Sequence, residues 1–300
     1  NNNNNNNKPL LFFHGISPAG LTFYCPFVLS GIGNDDRDTF LFENESISFV
    51  PVFHPVTHAM HVDGIEEAVH KHLKKDQSFT LAGHSYGSLP ITWTLHSPSL
   101  RNRIDQIVLL DPVTILLSEP DVLLNFIYNR RETMADPIQG GTMFGRFVEH
   151  CDRAKIRLLA GSELFTQWYL RRYLSWHNAE LWLDDIPKHT KVLVCLSEMD
   201  EILNAPNVKR EIDMHNKHNN NNNFANIETI YWKGVGHAHC VVHPHMWKQV
   251  KKHMDAQASV TTNTTPTGKR SKRNNNNNNK NQQRSKQKQG RQRGGKKYKK

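Results

Sequence analysis

The chain has 300 residues, enough for one large domain with tails but not for several. Hydrophobic residues make up 37%, and the shortfall against an ordinary globular chain lies in Asn-rich and Lys/Arg-rich tracts. No apolar stretch within these residues is long enough to cross a bilayer, and four cysteines without paired spacing argue against a disulfide framework. The net charge of +10 is unevenly spread. Fourteen of the 38 basic residues fall between Lys269 and Lys300, which holds no acid; the other 24 face 28 acidic residues, leaving the body at −4.

In chain order, residues 1–7 form a poly-Asn segment that lacks apolar surface to offset ordering entropy and is expected to be disordered. Pro9-Leu10-Leu11-Phe12-Phe13 then reads as the first core strand, Leu10–Phe13, and His14-Gly15-Ile16-Ser17 as the loop that leaves it. Ser48–Phe53 reads as a second strand. From Val62 to Lys74, apolar Val62, Ile65, Ala68, Val69 and Leu73 recur near helical spacing and predict a helix with one buried face. Ser78–Ala82 predicts a strand, and Leu89 to Leu95 a helix that follows it closely. Gln106–Leu110, Lys191–Leu196 and Ile227–Trp232 complete six short apolar strands. The last helix runs from Pro244 to Ala256. Strands alternating with helices predict an α/β fold, a mostly parallel central sheet with helices on both faces. Between Pro112 and Pro187 the strand pattern stops, and a long aromatic region of helical character is expected (about 112–187). A low-complexity insertion is expected at about 215–223.

Gly83-His84-Ser85-Tyr86-Gly87 lies between the third strand and its helix, the context of a nucleophile elbow. A serine at a sharp strand-to-helix turn has a strained backbone, and its neighbours two residues away crowd one another. Gly83 and Gly87 carry no side chain to clash, so Ser85 Oγ can project above the sheet. Serine needs a base to take its proton and a third group to orient that base. Asp200 follows the strand Lys191–Leu196, and His237 follows Ile227–Trp232 in Lys233-Gly234-Val235-Gly236-His237. Both lie beyond carboxyl ends of strands, where open α/β sheets place their chemistry. Glu198, Glu201 and Asp111 are rival acids, and His239 is a rival base; a cap or turn role is the preferred reading of Asp111 in Asp111-Pro112. An oxyanion hole is expected from the backbone amides of Tyr86 and Ile16. Pro90 should delay the start of the helix after Ser85.

The set Phe13-His14-Gly15, Gly83-His84-Ser85-Tyr86-Gly87, Asp200 and Gly236-His237 resembles the alpha/beta-hydrolase superfamily, over roughly residues 8 to 255. Leu110-Asp111-Pro112-Val113, Pro120-Asp121-Val122-Leu123-Leu124-Asn125-Phe126 and Arg171-Arg172-Tyr173-Leu174-Ser175-Trp176 resemble a little-characterised eukaryotic subgroup within it. The resemblance implies Ser85 as nucleophile, His237 as base and Asp200 as acid, with the 112–187 region forming a lid. An apolar lid lining points to an acyl or lipid-like small-molecule substrate. The expected activity is hydrolysis of a carboxylic ester or thioester through an acyl-enzyme. Acyl transfer uses the same residues, whereas the dehalogenase and epoxide-opening branches require Asp at position 85.

No cofactor and no metal is expected. His54, His58 and His61, and His237, His239, His243 and His245, have spacings a cation could use, but a serine mechanism accounts for the chain better. The hydrolase domain is expected at 8–256 and a disordered basic tail at 257–300. An alternative function is a non-catalytic or dual-role protein that binds RNA, an anionic membrane or an acidic partner through that tail. Cys25, Cys151, Cys195 and Cys240 read as free thiols, which favours an intracellular protein. The chain begins in an Asn run without Met, so it is expected to be part of a longer or trimmed product. The subgroup it resembles often carries hydrophobic segments upstream, a route to membrane association.

Overall fold

Six short parallel strands build the sheet of the computed structural model, which describes residues 8–33, 37–128, 163–219 and 223–260. They are β1 (Leu10–Phe13), β2 (Thr39–Phe42), β3 (Phe79–His84), β4 (Ile104–Leu110), β5 (Lys191–Ser197) and β6 (Ile227–Trp232). Their spatial order is β2-β1-β3-β4-β5-β6, and every neighbouring pair is parallel. β3, which leads into Ser85, is therefore central, flanked by β1, which leads into His14-Gly15-Ile16-Ser17, and by β4, which Asp111 follows.

Continuous apolar runs such as Leu10-Leu11-Phe12-Phe13 form strands here because both sheet faces are covered. Alternate residues enter different cores. Leu11, Phe13, Leu81, Ile107, Leu109, Val192 and Val194 pack with Ile65 and Val69 of α2 (His58–His72), Ile91 of α3 (Ser88–His96) and Ile212 of the helix Ala205–His218. Leu10, Phe12, Val108, Leu110 and Leu193 face the other way. They meet Tyr24 of α1 (Leu21–Cys25), Phe27, and Met246, Val250 and Met254 of the last helix, Pro244–Val260. The α/β class and the two-faced helical cover expected from the sequence are observed.

One strand was misplaced. Ser48–Phe53 is not a strand; β2 is Thr39–Phe42, paired to β1 from Leu10↔Thr39 onward. Pro51 has no N–H for a ladder, Phe49 has a positive φ of 59°, and Phe53 is 70% exposed. The Thr-Phe-Leu-Phe run is an edge strand whose four residues are only half-buried, unlike the fully buried β1. The α2 helix begins at His58, four residues earlier than expected, because the Thr57 side chain caps it by accepting from the Met60 amide at 3.4 Å. The last helix continues to Val260, past the expected boundary at 256.

Within 112–187 the described residues form α4 (Pro120–Val122), a π-type turn Leu123–Ile127, α5 (Leu164–Arg172) and short 3-10 turns, with no strand. Residues 129–162, including Phe144, Phe147 and Cys151, lie outside the described residues, as do 1–7, 220–222 and the basic tail from 261. The expected insertion at 215–223 needs correction at its start. His215–His218 is the last turn of α6 (Ala205–His218), and the buried His215 ring bonds Asp184 at 3.0 Å and the Ala225 carbonyl at 2.9 Å. Asn219 closes the loop beyond by bonding both backbone groups of Phe224. Two further helices follow β6: α7 (His239–Val242) and α8 (Pro244–Val260). Cys25, Cys195 and Cys240 are free thiols. Among the described residues no helix is long and apolar enough to cross a membrane.

Candidate active site

β3 delivers Ser85 into a left-handed turn, φ 53°, which a residue with a side chain adopts only under constraint. The two glycines supply the room. A Cβ on Gly83 would lie 2.5 Å from the Gly87 carbonyl oxygen, and one on Gly87 would run into the Phe13 carbonyl. Ser85–Gly87 is a 3-10 turn and α3 starts only at Ser88. Pro90 is then the third helical residue, whose amide has no intrahelical acceptor, so the ring costs no hydrogen bond. The Ser88 hydroxyl ties the turn down by donating to the Ser85 carbonyl at 2.6 Å.

β6 delivers His237 through Gly234 (φ 65°) and Gly236. Gly236 must be small because a Cβ there would lie 2.7 Å from Glu201 Oε1. Glu201 in turn accepts the His237 amide at 3.0 Å, fixing the loop. The imidazole Nδ1 is 2.6 Å from Asp200 Oδ2, and Nε2 is 2.9 Å from Ser85 Oγ. An ionised carboxylate only accepts, so in the neutral imidazole Nδ1 carries the proton and Nε2 accepts from the Ser85 hydroxyl. Asp200 Oδ1 accepts the amides of Ile202 (2.8 Å) and Leu203 (3.0 Å), which orients the carboxylate. The three side chains lie 115 and 37 positions apart in sequence yet form one continuous hydrogen-bonded relay.

The rival residues have other partners. Glu198 accepts the Gly234 amide at 2.8 Å, and the His239 ring packs against His243. Asp111, fully buried and also at positive φ (45°), bonds Ser197 and the Ala238 amide; it does more than cap a turn, because it sits beside the relay. Burial and the charge of Asp200 push its carboxyl above the usual carboxylate range. For His237, burial alone would push the imidazole down. The Asp200 charge and hydrogen bond, then Asp111 and Glu201, outweigh burial and bring it up to about 9.

Ser85, His237, Ile16 and Tyr86 open onto a common cavity of about 210 Å³, lined mainly by apolar side chains such as Phe126, Leu170 and Trp176. Tyr86 N–H lies in the first turn after Ser85, where amides are free of intrahelical acceptors. A second cavity of about 200 Å³ is lined by His14, Asn44 and His61, and also by Tyr86. The Tyr86 hydroxyl is held by Tyr169 of α5 at 2.6 Å. Next to Ser85 in the chain, His84 Nδ1 is 2.9 Å from Tyr24 Oη, and burial, with His237 nearby, keeps the His84 imidazole neutral. Tyr24, Asp111, Glu201 and Tyr169 were not assigned to the site from sequence. Asp111 and Glu201 carried a signal, their places just beyond the ends of core strands, and were weighed as rival acids.

Side chains with cation-like convergence among the described residues are His84, Asp111 and Cys240, and Asp111, Asp200 and His237. The His54/His58/His61 set and the His239/His243/His245 extension do not converge in this way.

No family model matches the chain, and no curated protein matches it significantly. Solved structures do. A thermophilic esterase from Thermogutta terrifontis is similar with TM-score 0.55 at 16% identity, covering 84% of this chain and 90% of that one. The putative non-heme bromoperoxidase BpoC of Mycobacterium tuberculosis H37Rv gives 0.53 at 15%, over 84% and 92%. A monoacylglycerol lipase from Paleococcus ferrophilus gives 0.50 at 14%, over 84% and 96%. At such identities the likeness is one of fold, and the fold is that of the alpha/beta-hydrolases.

Proposed function

We propose that the chain is a serine hydrolase that cleaves a carboxylic ester or thioester of an acyl or lipid-like substrate. The observation that carries this reading is the unbroken relay Asp200–His237–Ser85 at the wall of an apolar cavity. Ser85 Oγ attacks the acyl carbon while His237 Nε2 takes its proton. Asp200 holds the imidazole in the Nδ1–H tautomer and stabilises the imidazolium. The amides of Tyr86 and Ile16 donate to the oxyanion, each worth about 2.7–4 kcal/mol in comparable sites. Collapse expels the alcohol or thiol, which receives the proton from Nε2. Water, deprotonated by the same nitrogen, then hydrolyses the acyl-enzyme. The apolar lining supports an acyl group over a polar one, because a cavity with few polar groups rewards burial of hydrocarbon. Within this reading the 112–187 region, which contributes Phe126, Leu170 and Trp176 to the cavity, serves as the lid.

The test is labelling by a fluorophosphonate probe, combined with hydrolysis of esters graded in acyl length. Wild type should be labelled and should cleave at least one ester; Ser85→Ala should lose both. Labelling that survives Ser85→Ala would remove Ser85 from the nucleophile role. If a second alcohol outcompetes water, the product distribution identifies acyl transfer by the same residues.

A further inference from the structure

Asp111 is a fully buried carboxylate that the relay does not use. Four donors hold it. Oδ1 accepts the Ser197 amide at 2.9 Å, and Oδ2 accepts the Ser197 hydroxyl at 3.1 Å, the Ala238 amide at 3.2 Å and the Cys240 thiol at 3.8 Å. Ser197 closes β5 just before the Asp200 loop, and Ala238 follows His237. One side chain thus ties the acid loop to the histidine loop. A carboxylate oxygen of Asp111, one of Asp200 and a ring nitrogen of His237 lie within 4.8 Å of one another.

The charge of Asp111 has few places to act. The titratable groups around it are Tyr24 of α1, His84 of β3, Cys195 of β5, Asp200, and His237 and Cys240 beyond β6. Burial pushes the Tyr24 phenol and both thiols up and the His84 imidazole down, so these four are neutral at pH 7. Asp200 and His237 remain as the charged groups Asp111 can influence. Glu201 approaches His237 from the opposite loop but bonds its backbone.

We propose that Asp111 is a second carboxylate for His237, a positioning residue that clamps the two loops and adds negative potential behind the imidazole. The inference rests on the reading of Ser85, His237 and Asp200 as a catalytic relay. An anion near an imidazole favours the imidazolium and raises the pH at which the ring becomes a base. Asp111 therefore shifts the working range of the site upward in pH, and does so more as its own proton leaves.

Two variants separate this from a purely structural role. Asp111→Asn removes the charge. Ser197→Ala keeps the carboxyl but deletes a hydrogen bond that favours its ionised form. The measurements are kcat/KM against pH with an ester that wild type cleaves, and the His237 titration followed by NMR on folded protein. In Asp111→Asn the acid limb and the imidazole midpoint should both move down by about one unit. Ser197→Ala should move them the same way by less. An unchanged midpoint in the folded variants would overturn the proposal, and Ser197→Ala decides alone if Asp111→Asn does not fold. If Ser85 takes no label and no ester is cleaved, the catalytic reading fails, while the NMR midpoint still decides whether Asp111 acts on the imidazole.

Discussion

At the scale of single residues, the site is built from strain held in place by neighbours. Ser85, Asp111 and Ala238 all adopt positive φ with side chains present, and all three are within one hydrogen-bond network. The imidazole of His237 is the titrating centre of that network. Its folded value of about 9 lies above the ordinary 6.5, so the native state holds a proton that the unfolded chain releases earlier. The stabilisation is complete below about pH 6.5 and is lost as pH rises through about 9. Chemical-denaturant midpoints across this window should therefore fall with rising pH in wild type. In Asp200→Asn, which lacks the largest attractive charge, the decline should be shallower. A decline of equal size in both would mean that another group sets the slope. The proposed ester hydrolysis should run the other way, rising with pH, because only the neutral ring accepts the Ser85 proton.

At the scale of elements, α5 packs against the turn that holds Ser85. Glu163 caps it, accepting the amides of Phe165 at 2.9 Å and Thr166 at 2.6 Å. Those hydrogen bonds also keep the Glu163 carboxyl below its usual range against the opposing effect of burial. The helix then presents Tyr169 to Tyr86, next to Ser85, and Leu170 to the cavity. Glu163→Ala should cost about 1 kcal/mol in unfolding free energy, the usual value of an N-terminal cap. It should also raise KM for long-chain esters more than it lowers kcat, since the cavity wall is loosened and the relay is untouched. Equal loss for short and long chains would detach α5 from substrate binding. The strand elements illustrate a different point. β1, β3, β4, β5 and β6 are apolar runs readable from sequence, whereas β2 is a four-residue edge strand whose pairing to β1 depends on a neighbour elsewhere in the chain.

At the scale of the whole molecule, chemistry and charge are segregated. The relay belongs to the mildly acidic body, and the basic residues are concentrated beyond Lys269. We propose that the tail binds polyanions independently of the relay. Deleting residues 261–300 should leave ester hydrolysis unchanged and abolish binding to RNA or anionic vesicles. Full-length binding should weaken steeply with salt, as counterion release requires. Salt-insensitive binding, or binding retained by the shortened chain, would locate the interaction on the body instead.

Some of this was written locally and some was not. The turn at Ser85, the alternation of strands with helices, and the histidine after the last strand are legible because each depends on residues close in sequence. Gly83 and Gly87 bracket Ser85 within five positions, and a parallel strand declares itself by its own hydrophobicity. The sequence favoured Asp200 but left Glu198, Glu201 and Asp111 as rivals; only the fold set Asp200 against His237, brought Asp111 against the loop bearing His237, and paired Tyr86 with Tyr169 across 83 positions. Those choices are set by which side chains the sheet order and loop paths bring within hydrogen-bonding distance. No property of an isolated segment encodes a distance to a residue a hundred positions away.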